Sequence, residues 1–377
     1  MTETLPLLCI CVPTYNRSTY LRKFLSVIIP EIAKYKLENE VVIFIGDNNS
    51  TDDTALMIEG FKNNSTAKIL YHKNESNIGA VNNIIRLLEN SNSKFLTIFG
   101  DDDEMVVGSL PQVISVVKEN PEILVHHFKC RQTNFIKAGM THQKLTVLDA
   151  AEKYFYNLGN AGTFIFNTEK AKAIVASKKD RLACTCWPQT EIMFLMLMVE
   201  KESKRFAVSG IELVSSGSHD GNVIYNTWYI LETFCFSLLR VAQNIEADHP
   251  NTGIMKSARK AIPACMQAVK YFFRFILFAT YYDYGYELEK TKKLITQNKQ
   301  YLKGGNVFYP TVYSVLLSLP RCVKKLLTAF YFFVSKPTFK KSIFEKNYDT
   351  VKLYQQKKLE VYTQKGKLTE DTERYIY

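Results

Sequence analysis

Several things are missing from this chain of 377 residues. No stretch is long and apolar enough for a membrane-spanning helix, which takes about 20 residues. The best run, YFFRFILFATYY at 271–282, is short and contains Arg274. The apolar segment Leu5 to Val12 has neither a basic leader nor a small-residue cleavage site, so no secretory signal is expected. There is no G-x-x-x-x-G-K-[ST] and no G-x-G-x-x-G, which removes the P-loop and the dinucleotide fingerprint. The EF-hand spacing is absent as well, as are the signatures of nucleic-acid-binding modules. Eight cysteines are too few for a disulfide scaffold, and Cys184 and Cys186 have no second pair to complete a zinc site. Buried free thiols in a reducing, cytoplasmic compartment are the expectation.

Charge is present but uneven. Residues 251–377 hold 23 Lys+Arg against 9 Asp+Glu, a net +14, whereas residues 1–250 carry −3. Two halves with different tasks follow from such an asymmetry. The expected boundary lies near 228. Residues 1–228 form a sheet domain, and 229–377 form a basic, mainly helical C-terminal region. There Val323, Leu326, Leu327, Phe330 and Phe333 recur at helical spacing beside Arg321, Lys324 and Lys325. A stripe of this kind suits an anionic membrane surface, and helices packed on the sheet domain are the plain alternative.

The first half alternates strands and helices. Apolar or β-branched runs at 7–12, 41–46, 67–72, 94–100, 123–129, 162–166 and 206–214 read as strands. Between them, Ser18 opens one helix, Ser50 or Thr51 caps a second, and IGAVNNIIRLLEN forms a third. This alternation predicts an α/β fold: a mostly parallel, doubly wound sheet with helices on both faces. Ligands of such sheets bind beyond the carboxyl ends of the strands. Three polar clusters fall there: PTYNR at 13–17, DNNSTDD at 47–53 and GDDDE at 100–104. Taken singly, each also reads as a turn, a helix cap or a solvated loop. Three consecutive aspartates repel, however, and a hard cation such as Mg²⁺ or Mn²⁺ relieves that repulsion. With no glycine-rich cradle, a nucleotide diphosphate would be held through the metal. Tyr15 offers a ring for the base and Asp47 an acceptor for base or ribose.

CVPTYNR, IGDNNSTDDT, NIGAVNN and FGDDDE, in this order and spacing, resemble the family 2 glycosyltransferases of GT-A fold. The nearest likeness is to the abequosyltransferase-like enzymes that build bacterial O-antigen, capsule or lipooligosaccharide. It spans about residues 5–230. The resemblance implies an inverting enzyme with Mg²⁺ or Mn²⁺ on the pyrophosphate of a nucleotide diphosphate sugar. The implied acceptor is a saccharide, or a polyprenyl- or lipid-linked one, at the inner face of the cytoplasmic membrane. By position, Pro13, Thr14 and Tyr15 line the nucleoside pocket and Asp47 meets the base. Arg17 steadies a phosphate or pairs with an aspartate, and Asn77 and Gly79 stand beside the donor. Where the family has L-D-S-D-D, Phe99 and Gly100 replace the first two residues. Asp101 is then placed near the ribose, Asp102 as metal ligand, and Asp103 as ligand or orienting group. No arginine role carries over to Arg86. The base is expected at the start of a helix, where Pro188 opens CWPQTEIMFLMLMVE and Glu191 lies in the first turn; Asp180 is the second choice. Trp187 and Gln189 suit a sugar site. In SSGSHDGN at 215–222, His219 is the candidate for metal or diphosphate on a moving loop. An inactive sugar-binding scaffold and a nucleotidyltransferase are the competing classes.

Overall fold

The computed structural model describes residues 4–131, 136–154, 161–185, 187–215 and 237–258, with a few positions between 315 and 327. Two compact units are present. One comprises residues 1–219 with 240–258, the other residues 220–239 with 259–377. His219 and most of the basic C-terminal stripe lie outside the described residues. In the second unit Val315, Val323 and Leu326 expose their apolar side chains.

The first unit is built on a nine-stranded sheet. Strands β1 (Leu8–Thr14), β2 (Val41–Asp47), β3 (Lys68–Lys73) and β4 (Phe95–Ile98) come first in the chain. They are followed by β5 (Glu104–Met105), β6 (Val125–Cys130), β7 (Gln143–Leu145), β8 (Phe164–Asn167) and β9 (Phe206–Ser215). The order across the sheet is β3-β2-β1-β4-β8-β6-β9-β5, with β7 paired to β9. The block β3-β2-β1-β4 is parallel throughout, and β6 also runs parallel to β9. β8 is inserted antiparallel between β4 and β6.

The helices are α1 (Ser18–Lys34), α2 (Thr54–Asn63), α3 (Ala80–Asn90), α4 (Ser109–Glu119), α5 (Val147–Tyr154), α6 (Thr168–Ala183), α7 (Pro188–Met198) and α8 (Leu238–Asp248). Side chains alternate across the strands. Leu8, Ile10, Val12, Val41, Ile43 and Ile45 join one core with residues of α1, α2 and α4. The opposite face of β1 and β2 receives α3, which in turn packs on α6. Both faces are therefore dry, which is why these strands read as unbroken apolar runs.

Local expectations needed adjustment at three places. The second helix starts at Thr54, three residues past Thr51. Asp52 Oδ1 accepts from the Thr54 amide (3.2 Å) and hydroxyl (2.5 Å), and the Ser50 amide turns back to Asp47 instead. The two- and three-residue strands β5 and β7 had no sequence signal. Cys9, Cys11 and Cys130 are buried free thiols, but Cys184 is exposed.

Topology creates the crevice. From β1 the chain steps outward to β2 and β3, then returns to β4 on the other side of β1. This reversal is the switch point of a doubly wound sheet, where ligands of such sheets bind.

Candidate nucleotide-sugar site

The tip of β1 and the turn after β4 meet at the switch point. Thr14 donates its hydroxyl to Asp101 Oδ2 at 2.7 Å. Arg17, beyond the tip, donates through Nη1 to Asp101 Oδ1 and to Asp102 Oδ2, each at 2.9 Å. One guanidinium nitrogen thus bridges two carboxylates. Burial opposes the Arg17 charge, but Asp101 and Asp102 outweigh it and tighten its hold on the proton. Asp101 is 5% exposed, so it anchors the turn from below; Asp102 is 23% exposed and faces outward. Burial and the Asp102 charge raise the proton affinity of Asp101 above the ordinary carboxylate range, against Arg17 and Thr14.

The turn itself is closed by the Asp103 amide donating to the Gly100 carbonyl at 3.2 Å. Asp102 Oδ1 and Asp103 Oδ2 both lie 3.0 Å from the point where a β-carbon on Gly100 would stand. Two carboxylates share the space above this glycine. Burial, with Asp102 and Asp101 adding repulsion, pushes the Asp103 carboxyl up to about 7. Arg17 meets two of the three carboxylates, and Asp103 carries the repulsion of both.

Asp103 therefore has a consequence for stability. It keeps its proton in the fold up to about pH 7, whereas an unfolded aspartate ionises near 3.9. The fold gains from this below the lower value and loses the gain as pH rises through about 7. The melting temperature, measured in EDTA from pH 4 to about 8, should fall along that arm in the wild type and stay flatter in Asp103→Asn. Superimposable curves would contradict the assignment.

That repulsion tests whether a metal fits. Among the described residues no group of three His, Cys, Asp or Glu side chains surrounds one point. A protein cage is not what Mg²⁺ requires, since it takes one or two carboxylates and completes its shell with water and phosphate oxygens. Asp102 and Asp103, converging over Gly100, fit that role; Asp101 is committed to Thr14 and Arg17.

The β2 cluster forms the adjoining wall. Asp47 is 0% exposed and both its oxygens are engaged, Oδ1 by the Ser50 amide and Oδ2 by the Tyr71 hydroxyl, each at 2.7 Å. The carboxylate thus holds its own loop in place, and each oxygen keeps a second acceptor position. Tyr15, 44% exposed, is the open aromatic face at this end. Asn16 and Asn49 adopt left-handed backbone at φ 53° and 69°, which asparagine tolerates. The two loops are stitched by the Thr51 amide on Asn16 Oδ1 (2.8 Å) and the Asn16 amide on Ser50 Oγ (2.9 Å).

An asparagine network, not foreseen from the sequence, holds the third segment. Asn48 Nδ2 donates to Asn77 Oδ1 at 2.7 Å, while Asn48 Oδ1 accepts from Asn74 Nδ2 (3.0 Å) and the Ile78 amide (2.9 Å). Asn83 Nδ2 reaches the Gly46 carbonyl at 2.8 Å. Asn77 and Gly79, the latter preceding α3 at φ 84°, are thereby fixed to the end of β2. The density of asparagine in NESNIGAVNN was the available signal.

Glu191 lies apart from this constellation. It sits in the first turn of α7 behind Pro188, as expected, and is 0% exposed. Its Oε1 accepts from Arg181 Nε and, at 3.3 Å, from Asn244 Nδ2; Arg181 also donates to Asp248 at 2.7 Å. Among the described residues Oε2 has no hydrogen-bond partner. Burial raises the proton affinity of Glu191 in spite of Arg181. None of its hydrogen bonds runs to the acidic turn. Asp180 is exposed on α6, and Gln189 is buried in α7.

Residues 9–171 match the protein family described as Glycosyl transferase family 2. Abequosyltransferase RfbV of Salmonella typhimurium is 38% identical over 104 residues, covering 28% of this chain and 30% of that protein. The GalNAc(5)-diNAcBac-PP-undecaprenol beta-1,3-glucosyltransferase of Campylobacter jejuni is 28% identical over 116 residues, 30% of this chain and 36% of that protein. The matches thus span about a third of each relative. Among solved structures, S. aureus TarS residues 1–349 superpose with a TM-score of 0.55 at 14% identity, covering 87% of this chain and 93% of that one. At that identity the likeness shows the fold, which is the GT-A arrangement of a mixed sheet flanked by helices.

Proposed function

We propose, on the premise that residues 9–171 form a glycosyl transferase family 2 domain, that this protein moves a glycosyl group from a nucleotide diphosphate sugar to a hydroxyl of a saccharide or lipid-linked saccharide. The reading includes inversion at the anomeric carbon and a place in bacterial surface-glycan assembly. The observation that carries it is the convergence of Thr14, Arg17, Asp101 and Asp102 at the switch point. An aspartate turn beside an exposed aromatic ring at that location suits a nucleotide diphosphate held through a cation. The relatives' names, an abequosyltransferase and a glucosyltransferase with a PP-undecaprenol-linked substrate, support the same class.

In this reading Pro13, Thr14 and Tyr15 receive the nucleoside, above the loop that Asp47 organises. Asn77 and Gly79 border the donor, and Asp101 holds the turn that approaches the ribose. Asp102 and Asp103 would hold Mg²⁺ or Mn²⁺, which when bound supplies positive charge to the leaving diphosphate. Arg17 is half exposed on its pair of carboxylates and is placed to turn toward phosphate oxygens. Glu191 is the proposed base: Arg181 and Asn244 fix one oxygen, and the other, buried in this structure, takes the acceptor proton once the segment around it opens to the acceptor. Its raised proton affinity, caused by burial, makes it a stronger base than an ordinary carboxylate. His219 remains a candidate for the diphosphate side. The basic region from 229 onward is assigned to an anionic membrane surface at the cytoplasmic face, with Val315, Val323 and Leu326 as exposed apolar contacts.

A panel of UDP, GDP, CDP and dTDP sugars with Mn²⁺ tests the reading. One donor should raise the melting temperature, by about 2.7 kcal/mol of stabilisation at a hundredfold excess over Kd. The same donor should be converted to its nucleoside diphosphate, and EDTA should stop the conversion. No thermal shift and no turnover with any donor would reject it.

A further inference from the structure

Arg17 stands on two carboxylates, one of which is a proposed metal ligand. Its main chain is pinned: the Arg17 carbonyl accepts from the Tyr20 amide (3.1 Å) and the Leu21 amide (3.0 Å), the opening bonds of α1. The side chain leaves this anchor half-exposed, and its guanidinium carbon lies 5.7 Å from the centre of the Tyr20 ring. One nitrogen, Nη1, makes both carboxylate contacts, at 2.9 Å to Asp101 Oδ1 and 2.9 Å to Asp102 Oδ2. An arginine fork has donors on three nitrogens, and this grip engages those of one.

The two carboxylates differ in what else they meet. Asp101 is buried and also accepts from the Thr14 hydroxyl at 2.7 Å, so it keeps a donor if the guanidinium moves. Asp102 is partly exposed, and its other oxygen, Oδ1, shares the space over Gly100 with Asp103 Oδ2. A divalent cation held by Asp102 and Asp103 would therefore share the Asp102 carboxylate with Arg17. The contact of 2.9 Å, the width of one carboxylate and a metal–oxygen bond of about 2.1 Å place that cation no further than roughly 7 Å from Nη1. A single and a double positive charge at that distance weaken each other's binding by about 10-fold even at the dielectric of water. A diphosphate reverses the sign: its negative charge lies between the two cations, and an arginine fork takes phosphate oxygens in pairs.

We propose that Arg17 is the internal counter-ion of the acidic turn: seated on Asp101 and Asp102 it opposes a lone metal ion, and it yields to metal and nucleotide arriving together. The inference rests on the glycosyltransferase reading and adds an order to it: the bare cation is discriminated against, and the donor enters as its metal complex.

Mn²⁺ alone, titrated calorimetrically into the full chain, is the first probe; UDP, GDP, CDP and dTDP, each with and without Mn²⁺, are the second. Arg17→Gln and Arg17→Met remove the charge from a partly exposed ion pair, so both should fold, with melting in EDTA as the check. Each should bind Mn²⁺ alone about 10-fold more tightly than the wild type. Each should bind the Mn²⁺–nucleotide complex about 10- to 100-fold more weakly, the worth of a hydrogen bond to a charged group. Arg17→Lys keeps the charge and should bind Mn²⁺ alone as the wild type does. A merely structural arginine would not shift the two affinities in opposite directions. Wild-type or weaker affinity for Mn²⁺ alone in the uncharged variants overturns the counter-ion role. So does a wild type that binds Mn²⁺ as tightly without nucleotide as with it, a comparison that needs no variant. A wild type that takes up none of the four nucleotides with Mn²⁺ overturns the nucleotide-sugar reading, and this inference with it.

Discussion

Asp102→Asn should abolish transfer while leaving the fold in place. The substitution keeps an acceptor oxygen for Arg17 and removes one negative charge from the pair that would carry the metal. Its structural cost is small. A partly exposed ion pair contributes at most about 1 kcal/mol, whereas each buried side chain of the supporting strands, such as Leu8, Ile10 or Val12, contributes about 1.5–3 kcal/mol. The catalytic cost is larger, because the charge on a leaving diphosphate is stabilised by several kcal/mol from a bound cation. Each 1.36 kcal/mol is tenfold in rate, so a drop of about 10³-fold or more is expected. Nucleoside diphosphate release, together with Mn²⁺ binding by calorimetry, checks both halves. Wild-type rates in the variant, or undiminished wild-type turnover in EDTA, would remove the metal from the mechanism.

Glu191→Gln is expected to slow transfer by about 10²–10⁴-fold, the range for a general base, with donor affinity nearly unchanged. Geometry favours a clean result. Glutamine retains an acceptor for Arg181 and Asn244, and Arg181 keeps its second carboxylate at Asp248. The fold thus loses a charge without stranding the guanidinium, the situation that makes broken buried pairs so costly. Single-turnover rates, donor titration and melting curves decide the matter. If donor affinity falls as far as the rate, or if only the melting temperature moves, Glu191 is a strut between α6, α7 and α8, and the base lies elsewhere.

The parallel half of the sheet was readable because both faces of β1, β2 and β4 are buried, leaving apolar runs with abrupt polar ends. Those ends are the site, so PTYNR, DNNSTDD and GDDDE announced themselves. Direction was not readable: β8 has the same apolar text as a parallel strand yet runs the other way. Nor were β5 and β7, too short to show a period. The partners escaped as well. Tyr71 on Asp47, Asn83 on Gly46 and Arg181 on Glu191 are pairings between distant segments, set by how α3 and α6 pack. The late start of α2 came from a local competition in which Asp52, not Ser50 or Thr51, took the free amide. In the C-terminal half, amphipathic spacing suggested helices without saying what they face.

Gly100 couples three positions of the turn. A β-carbon at that point would meet the Asp102 and Asp103 oxygens at 3.0 Å, so any side chain there has to push one of the two carboxylates aside. A substitution at 100 is therefore epistatic with 102 and 103: the missing β-carbon is what lets both carboxylates share one space.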